Sequence, residues 1–277
     1  MYMKIVTDSA SLYSPAEGKD LGIQVVPTCA IIDGQVYRDF EDINCQQMLD
    51  KIAEGAVPTT SQPSVGDYMD AFEGEEEVLF FSIGDGLSGG YQNALGVKQM
   101  MEHGDRIHVI DTKTLAGAQH YMVEKAMKLK QLGLSISEIK KELKQCIENS
   151  VSFVIPADFE FLKRSGRLIP LAAKIGNMIK IVPVMTQTED MRRIRPFVIT
   201  RSKKKALEAI VQHLESMGMD DRFVISVAHA GVLEQAREVA RHLQEKFPHT
   251  TLELFELAPA LITHGGPGSV TVQAVMK

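Results

Sequence analysis

The sequence predicts an α/β protein of two domains, with a parallel sheet in the first domain and a mixed sheet in the second. Short apolar runs alternate with longer helix-like segments through much of the first half, which is typical of a parallel sheet covered by helices. Val78–Ile83 is a continuous apolar run, as expected of a strand buried on both faces. In the second half, Met178–Met185 and Met191–Thr200 flank Thr186–Asp190, and this arrangement predicts an antiparallel pair.

The length and composition suit such a fold. The chain has 277 residues, of which 44% are hydrophobic and 24% charged, as in ordinary globular proteins. We find no internal repeat and no low-complexity linker. We therefore expect an N-terminal domain over residues 1–155 and a C-terminal domain over residues 156–277.

The elements of the first half follow from apolar periodicity and from turn and capping signals. Asp33-Gly34 between two extended runs predicts a hairpin, and Asn44 and Ser64 each begin a capping pair before a helix. The predicted strands are Met3–Val6, Thr28–Ile32, Gln35–Tyr37, Val78–Ile83 and Ile107–Ile110. The predicted helices are Met48–Ala53, Tyr68–Phe72, Leu87–Glu102, Leu115–Gln131 and Ser137–Asn149.

The second half begins with a strand and a short helix, and then alternates again. The uncharged stretch Leu257–Met276 contains Gly265, Gly266, Pro267 and Gly268, so it predicts strand–turn–strand and no stable membrane insertion. The predicted strands are Val151–Ile155, Met178–Met185, Met191–Thr200, Arg222–Ala228 and Thr251–Leu257. The predicted helices are Phe159–Arg164, Lys203–Met217 and Val232–Lys246.

The cysteines argue against a disulfide framework and a metal site. Cys29, Cys45 and Cys146 lie far apart and show no zinc-ligand spacing with histidine. The N-terminus has no apolar signal region. These features favour the reducing cytoplasm as the location.

The net charge of −6 is distributed unevenly. Residues 1–150 hold 13 basic and 23 acidic residues, and residues 151–277 hold 17 and 13, so the second half is basic. This favours an anion or an acidic partner for the second half, although chance distribution over two solvated surfaces explains it as well. A nucleic-acid surface would be more basic, so we expect no nucleic-acid partner.

The turn at Gly84–Gly90 admits three interpretations. The first is dinucleotide binding, because Gly84, Gly86 and Gly89 spell G-x-G-x-x-G between a strand and a helix, and Asp111 ends the next strand. Such a turn would make the chain an NAD-dependent oxidoreductase. Asp85 weakens this interpretation, because it places a negative charge where pyrophosphate would lie.

The second interpretation is a serine hydrolase that uses Ser88, because Gly86, Ser88 and Gly90 spell the G-x-S-x-G pattern of a nucleophile elbow. This short pattern is common by chance. The segment that resembles an oxyanion loop, His264–Gly266, follows the serine, whereas in hydrolases it precedes it.

The third interpretation is anion binding without chemistry. Ser88 would donate a hydrogen bond, and the glycines would let backbone N–H groups approach the ligand. A second hydroxyl-rich turn, Pro58–Ser64, precedes another helix. Ser64 is explained as the cap of that helix, but Thr60 and Ser61 are not.

A set of motifs along the whole chain resembles the DegV family in order and approximate spacing. That family consists of two-domain α/β proteins that bind a long-chain fatty acid in a tunnel between the domains. Its well-understood bacterial members present the carboxylate to a separate fatty acid kinase subunit, which makes an acyl phosphate for phospholipid synthesis. The matching segments are Thr7–Ser9, Thr60–Ser64, Leu87–Gly89, Tyr91–Ala94, Val109–Thr112, Leu162–Arg167 and His264–Gly268.

The resemblance implies a lipid-binding protein without catalysis or cofactor of its own. It assigns the carboxylate to Thr60 and Ser88, and it places Ser61, Gly89 and His264 beside them. Arg167 and Arg201 match positions near the head group or in kinase coupling. The chain departs from the family at Gly90, where Thr is usual, and at Ser165, where many members have Gly.

Overall fold

The first half is built on a parallel sheet, as predicted. The computed structural model describes residues 3–172 and 181–277. The strands of this sheet are β1 (Met3–Asp8), β2 (Ile23–Val26), β6 (Glu77–Ser82) and β7 (Ile107–Asp111). The strand order is β2-β1-β6-β7, and all pairings are parallel. The apolar centre of β6, from Val78 to Phe81, is fully buried, which explains its lack of alternation.

Helices cover both faces of this sheet. Tyr68 and Phe72 of α3 pack with Phe80 on one face, whereas Met122 and Ile139 pack with other strand residues on the opposite face. The predicted capping pairs are confirmed as capping boxes at the starts of α2 and α3. The helices of this half are α1 (Pro15–Leu21), α2 (Cys45–Ala53), α3 (Val65–Phe72), α4 (Gly90–Met100), α5 (Ala116–Gln131) and α6 (Ile136–Glu148).

A small antiparallel sheet lies beside the parallel one. The predicted hairpin is confirmed: β3 (Cys29–Ile32) pairs with β4 (Gln35–Arg38) across Asp33 and Gly34, whose φ angles of 51° and 80° are those of a two-residue hairpin turn. The third strand is β5 (Thr59–Ser61), which pairs with β3. This pairing fixes Thr60 opposite Ala30.

The second half contains the predicted mixed sheet. Its elements are β8 (Ser150–Ile155), α7 (Phe159–Arg164), β9 (Val182–Gln187), β10 (Ile194–Thr200), α8 (Lys203–Ser216), β11 (Phe223–His229), α9 (Leu233–Lys246), β12 (Thr251–Glu256), α10 (Pro259–Gly265) and β13 (Val270–Met276). The strand order is β10-β9-β8-β13-β11-β12, and among these strands of the described residues only β11 and β12 pair in parallel. Helices α8 and α9 cover one face.

Helices α5 and α6 lie between the two large sheets. One apolar cluster contains Leu79 of the parallel sheet, Met122 of α5, and Val224 and Val275 of the mixed sheet. The two halves are therefore joined by a shared core. The division into domains at residue 155 remains a prediction.

Some predicted elements were wrong in detail. The stretch after Leu257 forms α10 and then β13, not strand–turn–strand, because Pro259 opens a helix whose side chains are buried. Helix α4 begins at Gly90 instead of Leu87, since the preceding residues form a turn. Residues 178–180 of the strand predicted over Met178–Met185 lie outside the described residues. Among the helices of residues 3–172 and 181–277, none combines the length and apolar character needed to span a bilayer.

Candidate functional site

Two cavities meet between the halves of the molecule. The first has a volume of about 340 Å³ and a wall that is polar and apolar in about equal parts, including Thr60, Ser61, Ser88 and Gly89. The second has a volume of about 110 Å³ and a largely apolar wall. Both are lined by Ile83, Leu87, Arg167, Leu261 and His264. We call them the polar cavity and the apolar cavity.

Thr60 and His264 meet across the polar cavity. The distance between Thr60 Oγ1 and His264 Nε2 is 2.9 Å, which makes a hydrogen bond between β5 and the end of α10. Burial, reinforced by the neighbouring Arg167 cation, lowers the pKa of His264 to about 3. The imidazole is therefore neutral at physiological pH, and it acts here as a hydrogen-bonding group.

Ser88 and Gly89 lie in the turn between β6 and α4. Ser88 Oγ accepts a hydrogen bond from the Gly90 N–H at 3.3 Å, and the Gly84 carbonyl accepts from the Leu87 and Ser88 N–H groups. The N-cap residue, Gly89, has no side chain to cap the start of α4. The N–H groups that follow Gly90 in the first turn therefore have no cap from this residue, and they can meet an anion in the cavity.

Gly89 lets the side chain of Gln62 lie close to the turn. A Cβ atom at this position would lie 2.2 Å from Oε1 of Gln62, which also lines the polar cavity. Because Oε1 is the far end of a flexible side chain, a larger residue here would displace the Gln62 amide and leave the backbone in place. Gln62 belongs to the hydroxyl-rich segment noted in the sequence, and no role was predicted for it.

Arg167 provides a cation where the two cavities join. Its Nε donates to the Leu87 carbonyl at 3.0 Å, and its Nη1 donates to the Ser165 carbonyl. Burial lowers the pKa of the guanidinium, but such a group stays protonated in proteins. Arg167 lines both cavities, and its position near a head group stays a prediction.

The other predicted arginine lies elsewhere. Arg201 is exposed just before α8, and it does not line either cavity. The structure thus brings Thr60, Ser61, Ser88, Gly89, His264 and Arg167 together and leaves Arg201 apart.

Asp39 is the main site residue that the sequence did not reveal. It follows β4, lies in the wall of the polar cavity and is 0% exposed. Its oxygens accept hydrogen bonds from Ser9 Oγ at 2.9 Å and from the Ala260 N–H at 3.0 Å. Burial raises the pKa of Asp39 to about 7. The available signal was an acidic residue at a strand end, which is too common to single out.

The surface of the apolar cavity is almost free of polar atoms, although several polar side chains lie in its wall. Gln273 Nε2 donates to Ser152 Oγ at 2.8 Å and to the Leu115 carbonyl at 2.9 Å. Thr186 Oγ1 donates to the Ser152 carbonyl at 2.8 Å. Because these groups satisfy one another, they leave an apolar surface to a ligand. The aliphatic lining includes Leu115, Ala116, Val154, Leu162, Met185 and Leu257.

The apolar stretch Ile169–Met185 is described only in part. Met185 lines the apolar cavity. Residues 173–180 lie outside the described residues.

The geometry of the Gly84–Gly90 turn disfavours a dinucleotide. Asp111 Oδ1 accepts from the Asp85 and Lys113 N–H groups at 3.0 Å, so this carboxylate holds the turn together. Asp85 forms an ion pair with Arg192. A Cβ atom on Gly86 would lie 2.7 Å from Arg192 Cβ, so protein fills the space beside this glycine.

The geometry also disfavours hydrolase chemistry at Ser88. A nucleophilic serine needs a base within hydrogen-bond distance of its Oγ. The histidine in the same cavity, His264, is bonded to Thr60 instead. Ser88 Oγ is engaged by the Gly90 N–H.

Comparison with known proteins gives consistent similarities over the whole chain. A family model described as "Uncharacterised protein, DegV family COG1307" matches residues 2–277. The DegV domain-containing protein SA1258 of Staphylococcus aureus is 29% identical, over 99% of this chain and 98% of its own length. The DegV domain-containing protein lin2658 of Listeria innocua is 30% identical, over 96% and 95% respectively.

Solved structures show the same fold. A DegV family protein from Thermus thermophilus, described as fatty acid binding, has a TM-score of 0.88 at 30% identity and is covered completely, as is this chain. DegV from Bacillus subtilis, described as a fatty acid binding protein, has a TM-score of 0.87 at 26% identity with the same coverage.

Proposed function

Because this chain belongs to the DegV family, we propose that it binds a long-chain fatty acid and presents the carboxylate to a separate kinase subunit for phosphorylation. The observation that carries this proposal is the junction of a polar and an apolar cavity at Arg167 and His264. A ligand with an anionic end and an apolar tail matches both walls at once.

The polar cavity offers the donors that a buried carboxylate needs. An ionised carboxylate away from water must be hydrogen-bonded, or it takes up a proton. The Ser88 hydroxyl, the Thr60 hydroxyl and the N–H groups at the start of α4 are suitable donors. Arg167 adds a positive charge beside them. Ser61, Gly89 and His264 complete the proposed head-group site.

The acyl chain would supply most of the affinity. Each buried methylene contributes roughly 0.8 kcal/mol, whereas a hydrogen bond contributes about 1 kcal/mol net. The head-group contacts would then chiefly fix the position of the carboxylate. Hydroxyl donors hold it while leaving an oxygen open to an incoming phosphoryl group.

The chemistry would belong to the partner, in the cytoplasm. Among the described residues, the polar cavity holds no arrangement that activates Ser88, so we infer a binding protein whose ligand is phosphorylated by another chain.

The exposed basic residues around the start of α8 form a candidate docking face for an acidic partner. Replacement of Lys203, Lys204 and Lys205 by Glu should then weaken kinase coupling without changing ligand binding. Unchanged coupling would remove this docking face.

The decisive experiment is native mass spectrometry of the protein purified from bacteria without delipidation. We expect a mass increment equal to one fatty acid, released by denaturation. Protein that carries no lipid and binds no added palmitate after delipidation would overturn the proposal.

The head-group assignment has its own test. Thr60→Ala and Ser88→Ala should lower phosphorylation of bound palmitate by a fatty acid kinase more than they lower palmitate binding, because they misplace the carboxylate. Thr59→Ala is the matched control, since Thr59 is an exposed neighbour on the same strand. Equal phosphorylation by all variants would contradict the assignment.

A further inference from the structure

A second carboxylate already lies in the wall of the proposed head-group site. Asp39 is fully buried and lines the polar cavity together with Thr28 and Thr60. The adjacent basic residue, Arg38, points away and forms ion pairs with Glu41 and Asp67. Among residues 3–172 and 181–277, the Asp39 carboxylate accepts hydrogen bonds only from neutral donors, the Ser9 hydroxyl and the Ala260 N–H.

A further buried acid, Asp8, lies close enough to Asp39 to repel its charge. Asp8 is 1% exposed and accepts from the Ile83 N–H at 2.7 Å, the Ala10 N–H at 3.2 Å and Gln119 Nε2 at 2.9 Å. Burial raises the pKa of Asp8 to about 6 and that of Asp39 to about 7, and repulsion from Asp8 adds to the shift of Asp39. Of the two, Asp39 has fewer donors and is the first to take up a proton.

The other titratable groups near Asp39 do not compensate its charge. Burial raises the pKa of the thiols of Cys29 and Cys45, so both stay neutral. His264 is neutral for the reason given above. Glu256, beyond Cys45, adds only negative charge. Arg167 is the cation that lines this cavity, and in the proposed function it pairs with the ligand.

An anionic head group in this cavity would add a second negative charge beside Asp39. Two carboxylates in one buried site disfavour the charge of each other, and the ligand carboxylate, unlike Asp39, would have Arg167 beside it. We propose that Asp39 is the group that takes up a proton when the ligand carboxylate binds, so that fatty-acid binding takes up a proton from solvent at neutral and alkaline pH. This inference rests on the proposed function.

The direction of the pH effect follows from this linkage. Below neutral pH Asp39 already carries its proton before the ligand arrives, and binding takes up little. Above neutral pH the proton must come from solvent, so affinity falls as pH rises, by up to about tenfold per pH unit for one proton. The Asp39→Asn variant, which is permanently neutral, should lose this dependence.

The test is calorimetric titration of delipidated full-length protein with palmitate at pH values from about 6 to about 9, in phosphate and in Tris buffer. The difference in heat between buffers counts the protons taken up. We expect the wild type to approach one proton at alkaline pH and Asp39→Asn to take up none. Glu253→Gln is the matched control, because burial also raises the pKa of Glu253 but this residue lies on β12 and does not line the polar cavity.

A second variant keeps the inference testable if Asp39→Asn does not fold. Ser9→Ala removes a hydrogen bond that stabilises the ionised form of Asp39, so the onset of proton uptake should move to higher pH. Wild-type binding without proton uptake, or unchanged uptake in Asp39→Asn, would overturn the inference and leave the proposed function standing. Absence of palmitate binding at every pH would overturn the proposed function itself.

Discussion

Thr60 is hydrogen-bonded to His264, a histidine that carries no charge at neutral pH. We have proposed that the Thr60 hydroxyl also binds the ligand carboxylate. Burial and Arg167 keep the pKa of His264 far below its usual range. We expect palmitate affinity to show no transition near pH 6.5 that depends on His264. Affinity measured across that pH range in the wild type and in His264→Gln tests this, and a transition present in the wild type and absent from the variant would contradict it.

Removing the side chain of His264 should have a modest effect. His264→Ala leaves the Thr60 hydroxyl without its partner. The hydroxyl is then less firmly oriented, because it loses a hydrogen bond that contributes about 1 kcal/mol. The amide of His264→Gln can still reach a hydroxyl, so it should restore part of the loss. The readout is the rate of palmitate phosphorylation by a kinase relative to palmitate affinity. Equal rates in both variants would mean that the hydrogen bond does not position Thr60.

Asp39 should also make stability depend on pH without any ligand. Its pKa rises from 3.8 to about 7 on folding, so its protonated form stabilises the fold, and this contribution is lost as pH rises through that range. The depressed pKa of His264 acts in the opposite direction below its ordinary value of 6.5. The comparison must therefore be between wild type and Asp39→Asn.

We expect the unfolding free energy of the wild type to fall relative to that of Asp39→Asn as pH rises from about 4 to about 7. The slope is at most about 1.4 kcal/mol per pH unit. Urea denaturation at several pH values measures it. A constant difference between the two proteins would show that Asp39 does not titrate in this range.

The turn before α4 requires glycine at position 86 because of its backbone angle and its packing, neither of which is evident from the G-x-G-x-x-G motif. Gly86 has a φ of +88°, and a Cβ atom there would lie 2.8 Å from the Arg192 carbonyl oxygen of the facing hairpin. Gly86→Ala should therefore destabilise the fold by about 1–3 kcal/mol. Gly96→Ala is the matched control, because a Cβ atom at that exposed position of α4 meets nothing within 4 Å.

The control should change stability in the opposite direction, by about 0.5–1 kcal/mol, since alanine favours a helix over glycine. Thermal unfolding of both variants measures the difference. A Gly86→Ala protein as stable as Gly96→Ala would show that the turn and the hairpin do not pack as described.

Most elements were predictable because their signals are local. The buried strand β6 was evident from its apolar run, and α2 and α3 from capping residues that act within one turn. Helix α10 was missed because its buried apolar residues show no amphipathic periodicity. The short helix α1 and strand β2 were also missed.

The candidate site was predictable where hydroxyl side chains come shortly before a helix. Thr60 and Ser88 share that context, and both line the polar cavity. The turn predicted at Thr60 was wrong, because Thr59–Ser61 pairs with β3 as strand β5. Asp39 could not be found in this way. It reaches the cavity because α10 packs against the loop after β4, where the Ala260 N–H binds it, and that contact joins residues 221 positions apart.

The shared core makes the two large sheets depend on one layer of helices. Met122 of α5 is fully buried in a cluster that contains residues of both sheets. Met122→Ala should cost about 2–5 kcal/mol and reduce hydrogen-exchange protection in β6 and β11 together. Met100→Ala, at an exposed position of α4, should be near neutral. Loss of protection in one sheet alone would show that the halves unfold independently.

The position of α5 has a consequence for how such a chain can diverge. Gly117 of α5 lies so close to β11 that a Cβ atom would come within 2.1 Å of Ser226 Oγ, while the helix also packs against β1. A substitution on this helix must fit two sheets, one from the first half of the chain and one from the second. Recombination that exchanged only the second half between distant relatives would pack α5 of one protein against the mixed sheet of another. We therefore expect the two halves to change together in evolution, and residues of the cavity walls to vary more freely than those of α5.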